Sequence, residues 1–121
     1  MSETLPERRV TFTREQIAAY AEASGDRNPI HLDDDFARSV GLPGIIAHGM
    51  LQMGLLANLA VAAAGGDPRR VRRLSVRFAG MVEPGEEVAF GGERRDDGRL
   101  QLWARKLDGT PVLTKGLAEL S

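Results

Sequence analysis

The chain holds two histidines. One of them, His31, lies five residues after Asp26 in the stretch Ser24-Gly25-Asp26-Arg27-Asn28-Pro29-Ile30-His31. A carboxylate and an imidazole on one loop can share a water, supplying acceptor and proton shuttle. The other, His48, immediately precedes Gly49 at the start of a long apolar run. A glycine there presents a backbone N–H at a helix N-terminus, a site that binds developing negative charge such as a polarised carbonyl oxygen. The chemistry suggested is proton transfer to or from water beside a polarised carbonyl.

Each residue also has a plainer reading. Asp26 is a turn residue behind a helix stop. His31 is a half-buried histidine bonded to backbone, and His48 satisfies local backbone at the start of its helix. Gln52 and Asn58 on the apolar run read as hydrogen-bonded core residues, with Asn58 a candidate for a subunit contact. A metal site from Asp26, His31 and His48 is not expected, because no two of them share a recognised ligand spacing. No Gly-rich phosphate loop and no nucleophile elbow occurs.

The elements that must position these residues can be read from periodicity. Thr13-Arg14-Glu15-Gln16 forms a capping box, and Ile17, Tyr20, Ala21 and Ser24 continue at helical spacing to a stop at Gly25. Asn28-Pro29 disfavours helix at position 28. Asp33, Asp34 and Asp35 load the start of a second short helix, ended by Gly41-Leu42-Pro43-Gly44. From Ile45 to Ala64 only His48, Gln52, Asn58, Gly49 and Gly54 interrupt the apolar residues. These interruptions argue against a membrane span and for a helix over 49–64 buried on all faces. Gly65-Gly66 caps it, and Pro68 prevents resumption.

Beyond that point the period becomes two. Leu74, Val76 and Phe78 alternate with polar residues, as do Val88 with Phe90, and Leu100 with Leu102 and Ala104. Asp96-Asp97-Gly98 and Asp108-Gly109 are hairpin turns, and 111–120 is a last strand. With Arg8–Phe12 this makes five strands, connected mostly by hairpins into an antiparallel sheet. Its apolar face needs the long helix as cover, which places the chain in the α+β class.

Composition narrows the function classes. At 121 residues the chain reads as one domain, 1–121, with little room for an enclosed pocket. Cysteine is absent, which excludes disulfides, iron–sulfur clusters, cysteine nucleophiles and thiolate metal sites. A net charge of −1 gives no electrostatic case for nucleic acid. The first residues are polar and acidic with no apolar leader, so the expected location is the cytoplasm. The cluster Arg69-Arg70-Val71-Arg72-Arg73 reads as a solvated start of a strand, or as an attractor for phosphate groups or an acidic protein.

The loop from Ser24 to Asp33, with Phe36-Ala37 and then Ile46-Ala47-His48-Gly49-Met50-Leu51, resembles the signature of the MaoC-like hydratases. That family includes (R)-specific enoyl-CoA hydratases and hydroxyacyl-ACP dehydratase subunits. The resemblance runs from the first strand to the last and is densest over 20–55. It implies a hot-dog fold, a sheet wrapped around a long central helix. It implies Asp26 and His31 as the catalytic pair and Gly49 as the amide that polarises a thioester carbonyl, with Asn28 and His48 in support. The reaction would interconvert trans-2-enoyl and (R)-3-hydroxyacyl thioesters, with no metal or organic cofactor. The substrate would be an acyl-CoA or acyl-carrier-protein thioester. The substrate tunnel would lie between two such units, so a dimer is expected, a homodimer or a heterodimer with a related subunit. Some relatives carry a serine nine residues after the histidine of the HGM motif, where this chain has Ala57. Other readings are a non-catalytic supporting subunit or a hot-dog thioesterase.

Overall fold

The computed structural model describes residues 3–121. Among these residues three α-helices, α1 (Arg14–Ser24), α2 (Asp34–Ser39) and α3 (Gly49–Ala63), are joined to six strands. The strands are β1 (Glu3–Thr4), β2 (Arg8–Thr11), β3 (Val71–Phe78), β4 (Glu87–Arg94), β5 (Leu100–Lys106) and β6 (Pro111–Leu120). All pairings are antiparallel. The order is β1-β4-β5-β6-β3, with β2 also on β4. The α+β class and the hot-dog arrangement are as expected, but the strand count is not: a two-residue β1 adds a sixth, too short to show a period of two.

Local chemistry sets the ends of the elements. The Thr13 hydroxyl accepts from the Gln16 N–H at 3.1 Å, and Gly25 ends α1 with φ of 78°, a conformation that costs glycine little. Asp33 caps α2 through the Phe36 N–H at 3.1 Å. Both predicted hairpins close, the first with Arg95 N–H on the Arg99 carbonyl and the second with Lys106 N–H on the Thr110 carbonyl. In β6 the registers to both neighbours skip a residue around Lys115, which sits at φ of 51° in a bulge.

The core lies between α3 and the inward face of the sheet. Leu56 and Leu59 from the helix meet Val88, Phe90, Leu100 and Leu102 from β4 and β5, all nearly or fully buried. Even positions of β5 face inward because the side chains of a strand alternate. One expectation is corrected here. Helix α3 is not buried all round: Gln52, Leu56, Leu59 and Ala60 are buried, whereas Met50, Gly54, Asn58 and Ala62 form an exposed stripe four residues apart. Asn58 is therefore not a core residue. Next to nothing polar marks that stripe in the sequence, so hydropathy alone does not separate a covered face from an open one.

The C-terminal carbonyls of α3 find partners outside the helix. Arg70 donates to the Ala64 carbonyl at 2.8 Å and Arg94 to the Ala63 carbonyl at 2.6 Å. Charge-assisted bonds of this kind complete a helix end that has no basic residue of its own. Arg69 is held by Asp67. Two members of the predicted basic cluster thus have structural partners, while Arg72 and Arg73 stand exposed on β3 at the edge of the sheet. No helix among the described residues is long and apolar enough to cross a membrane.

Candidate active site

The loop after α1 is built by its own side chains. The Ser24 hydroxyl accepts from the Asp26 N–H at 3.1 Å, Asp26 Oδ1 from the Asn28 N–H at 3.3 Å, and Asn28 Oδ1 from the Ile30 N–H at 3.2 Å. These successive turns lead into a single 3-10 turn, Pro29–His31, with Pro29 at its first position, where a missing N–H is harmless. The turn places His31 inward at 7% exposure.

His31 is fixed from both sides. Its Nδ1 lies 2.7 Å from the Ile46 carbonyl, an acceptor, so that nitrogen carries the proton. In the neutral form of the ring the lone pair lies on Nε2, which faces Asp26 Oδ2 at 3.9 Å. That is too long for a direct hydrogen bond. An oxygen placed about 2.8 Å from each of the two would see them at roughly a right angle, near the angle at which water donates two hydrogens. The plain readings of these residues are met and leave the other atoms available: Asp26 makes its turn with Oδ1 and faces His31 with Oδ2, and His31 bonds backbone with one nitrogen and turns the other toward Asp26.

His48 departs from expectation. It occupies the N-cap position of α3 but makes no capping bond. Its Nε2 instead donates across the chain to the Asp26 carbonyl at 3.0 Å. Its ring stacks on His31 with centroids 3.7 Å apart and 20° between planes, and Tyr20 meets it edge-on at 4.7 Å. His48 is 1% exposed and ties the Asp26 loop to the start of α3. Gln52, one turn on, is buried and donates to the His48 and Ala47 carbonyls at 3.3 and 3.5 Å. This agrees with a hydrogen-bonded core role. His48 Nδ1 and Gln52 Oε1 are buried without a protein partner.

Gly49 is the first residue of α3, so its N–H has no intrahelical acceptor and points out of the positive end of the helix dipole. A methyl group on its α carbon would come 2.9 Å from the Phe78 ring. A side chain at this position therefore collides with a neighbour that the sequence places almost thirty residues away. Asn28 braces the loop: its N–H donates to Asp26 Oδ1 at 3.3 Å, and its carbonyl accepts from the His31 N–H at 3.0 Å. Ala57, where some relatives have serine, is half-buried on α3.

Asp26, His31 and His48 bring ligand-type atoms within 4.8 Å of one another. Nearly parallel imidazoles do not aim their in-plane lone pairs at one point, and one nitrogen of each ring is spent on a carbonyl. This is a poor match to a tetrahedral ion site.

Asp34 is a support that the sequence does not reveal. It accepts from the Ile45 N–H at 3.0 Å and pairs with Arg14 at 2.9 Å, linking α1, α2 and the segment that leads to α3. The Ile45 N–H and the Arg14 guanidinium hold its carboxyl below the usual carboxylate range. From sequence it reads only as a helix-start anion.

Residues 2–108 match the family model described as MaoC like domain. The chain is 36% identical over 97 residues to 3-hydroxyacyl-thioester dehydratase Y of Mycobacterium tuberculosis, spanning 78% of this chain and 33% of that protein. It is 51% identical over 71 residues to fatty acid synthase beta subunit aflB of Emericella nidulans, 57% of this chain and 3% of the synthase subunit. The chain thus spans a small part of the curated relatives it matches. Among solved structures, the (R)-hydratase from A. caviae involved in PHA biosynthesis superposes with a TM-score of 0.80 at 29% identity, covering 98% of this chain and 97% of that one.

Proposed function

Because the chain belongs to the MaoC-like domain family, we propose that it interconverts trans-2-enoyl thioesters and (R)-3-hydroxyacyl thioesters, in the cytoplasm and without a metal. The observation that carries this reading is the facing of Asp26 Oδ2 and His31 Nε2 at 3.9 Å, joined through His48 to the free N–H of Gly49. The names of relatives, a hydroxyacyl-thioester dehydratase and an (R)-hydratase, support it.

In hydration, Asp26 and His31 hold one water by its two hydrogens. The water oxygen attacks C3 of the enoyl group, and the electron pair of the C2–C3 double bond shifts toward the carbonyl. The Gly49 N–H and the dipole of α3 stabilise the negative charge that gathers on the carbonyl oxygen. A proton leaves the water through the Asp26–His31 pair and ends on C2, so that H and OH are added and nothing else changes. Dehydration is the reverse. The stacked His48 keeps both partners in place, since it braces the His31 ring and holds the Asp26 backbone.

The chain acts as a dimer in this account. Two features of a single copy support it: the exposed stripe on α3 and the open edge of β3, which has no neighbouring strand on one side among the described residues. Coenzyme A and carrier-protein thioesters both fit the chemistry.

The test is hydration of enoyl-CoAs of graded length by the purified chain, followed by loss of the enoyl absorbance and by chiral analysis of the product. Formation of (R)-3-hydroxyacyl-CoA is expected. Release of free coenzyme A without hydration would identify a thioesterase instead.

A further inference from the structure

Phe78 ends β3, opposite Leu113 on β6, and the next residue is tied down by Ala79 N–H on the Val112 carbonyl at 2.9 Å. Its position is therefore set by the sheet. Its ring edge lies on Gly49, where a methyl group would stand 2.9 Å from Cε1 and 3.0 Å from Cδ1. Yet the residue is 53% exposed, so the rest of the ring is open. Met50, next to Gly49 in the chain, and Met81, three residues past Phe78, are 61% and 47% exposed. A bond from the Ala47 N–H to the Val82 carbonyl at 2.8 Å holds these two segments side by side. Large apolar side chains are thus left uncovered around the N–H that takes the carbonyl in the proposed reaction.

We propose that Phe78 is a specificity-determining residue whose ring is the wall against which the thioester group of the substrate lies. The inference rests on the reading that Gly49 binds the carbonyl. A carbonyl oxygen about 2.9 Å from the Gly49 nitrogen leaves the attached sulfur and C2 within van der Waals reach of a ring that fills the space where a Gly49 side chain would stand. Sulfur against an aromatic edge is a favourable contact. The occupant is the substrate and not a second copy of the chain, because the ring is continuous with the site. The exposed stripe of α3 instead runs away from it toward Ala62.

The contact is made equally in the ground and transition states, so it affects binding more than turnover. Two measurements on the full chain test it. Steady-state hydration is followed with crotonyl-CoA and with crotonyl-N-acetylcysteamine, which keeps the thioester but lacks the rest of the carrier. In parallel, calorimetry measures the affinity for butanoyl-CoA, which cannot be hydrated. Phe78→Ala should raise KM for both enoyl substrates and weaken butanoyl-CoA by about tenfold, with kcat changed by less than roughly threefold. Phe78→Leu should recover most of the loss, and mass in solution and melting temperature should stay at wild-type values. Unchanged butanoyl-CoA affinity in Phe78→Ala overturns the proposal, as does a lower mass, which would assign the ring to an interface between copies. Wild-type chain that binds butanoyl-CoA but hydrates neither enoyl thioester contradicts the reaction and not the wall, so the two failures are distinct.

Discussion

His48 does the most for the site without facing the reacting atoms. It donates to the Asp26 carbonyl and lies flat on His31, so its removal should loosen both partners of the proposed water-holding pair. His48→Ala should lower kcat by roughly ten- to a hundredfold, the cost of misplacing groups that must meet within a fraction of an ångström. It should also lower stability by about 1–3 kcal/mol, from a lost buried hydrogen bond and a void under Tyr20. Urea unfolding beside a kinetic assay separates the two effects. Gly49→Ala presses a methyl group on the Phe78 ring. Because Phe78 is half exposed and can yield, the kinetic defect of Gly49→Ala should be smaller in the double variant with Phe78→Ala, a coupling read from a double-mutant cycle. Much of this scale was legible in the sequence. Asp26, Asn28 and His31 sit in one short loop whose turns are closed by its own side chains, and Gly49 follows a histidine at a helix start. Phe78 and the tether from His48 to Asp26 were not legible, because both depend on contacts between distant segments and no local pattern marks them.

At the scale of elements, the site is a junction between one loop and the start of one helix. The sheet and the other helices hold that junction together. Asp34 is the clearest case, since it fixes Ile45 just before α3 and binds Arg14 at the start of α1. Its carboxyl is held low by these partners in the folded chain. Its stabilising effect is therefore fully present above the unfolded pKa, near about pH 4, and is lost as the pH falls through the lower folded value. Thermal melts of wild type and Asp34→Asn should differ most near neutral pH and converge as the buffer is brought to about pH 3. A difference that grows in acid would contradict this assignment. The far end of α3 behaves independently. Arg94 binds the Ala63 carbonyl about 20 Å along the helix from Gly49. Arg94→Met should cost about 1–2 kcal/mol of stability and leave kcat/KM within about twofold. The helices and hairpins were legible from caps, glycines and alternation. The pairing of β3 with β6 was not: β3 and β4 follow one another in sequence yet lie on different neighbours, and only the tertiary fold decides that.

At the scale of the whole molecule, the high proportion of apolar residues on α3 points to burial on every side. The single copy contradicts this, with Met50, Gly54, Asn58 and Ala62 exposed. Periodicity reports which residues avoid water, not which surface covers them. In the proposed dimer a second copy covers the stripe beyond Met50, from Gly54 to Ala62, and the open edge of β3 short of Phe78. Light scattering should then give about twice the 13.1 kDa chain mass. A single-chain mass at micromolar concentration would contradict the assembly. The central claim is that Asp26 and His31 activate water for addition to an enoyl thioester. The most direct measurement is crotonyl-CoA hydration by wild type beside Asp26→Asn, a substitution that keeps the shape and the turn-forming oxygen. Wild type should be active and give (R)-3-hydroxybutanoyl-CoA, whereas the variant should melt with it but turn over at least about a hundredfold more slowly. A variant that hydrates at near the wild-type rate would contradict the claim.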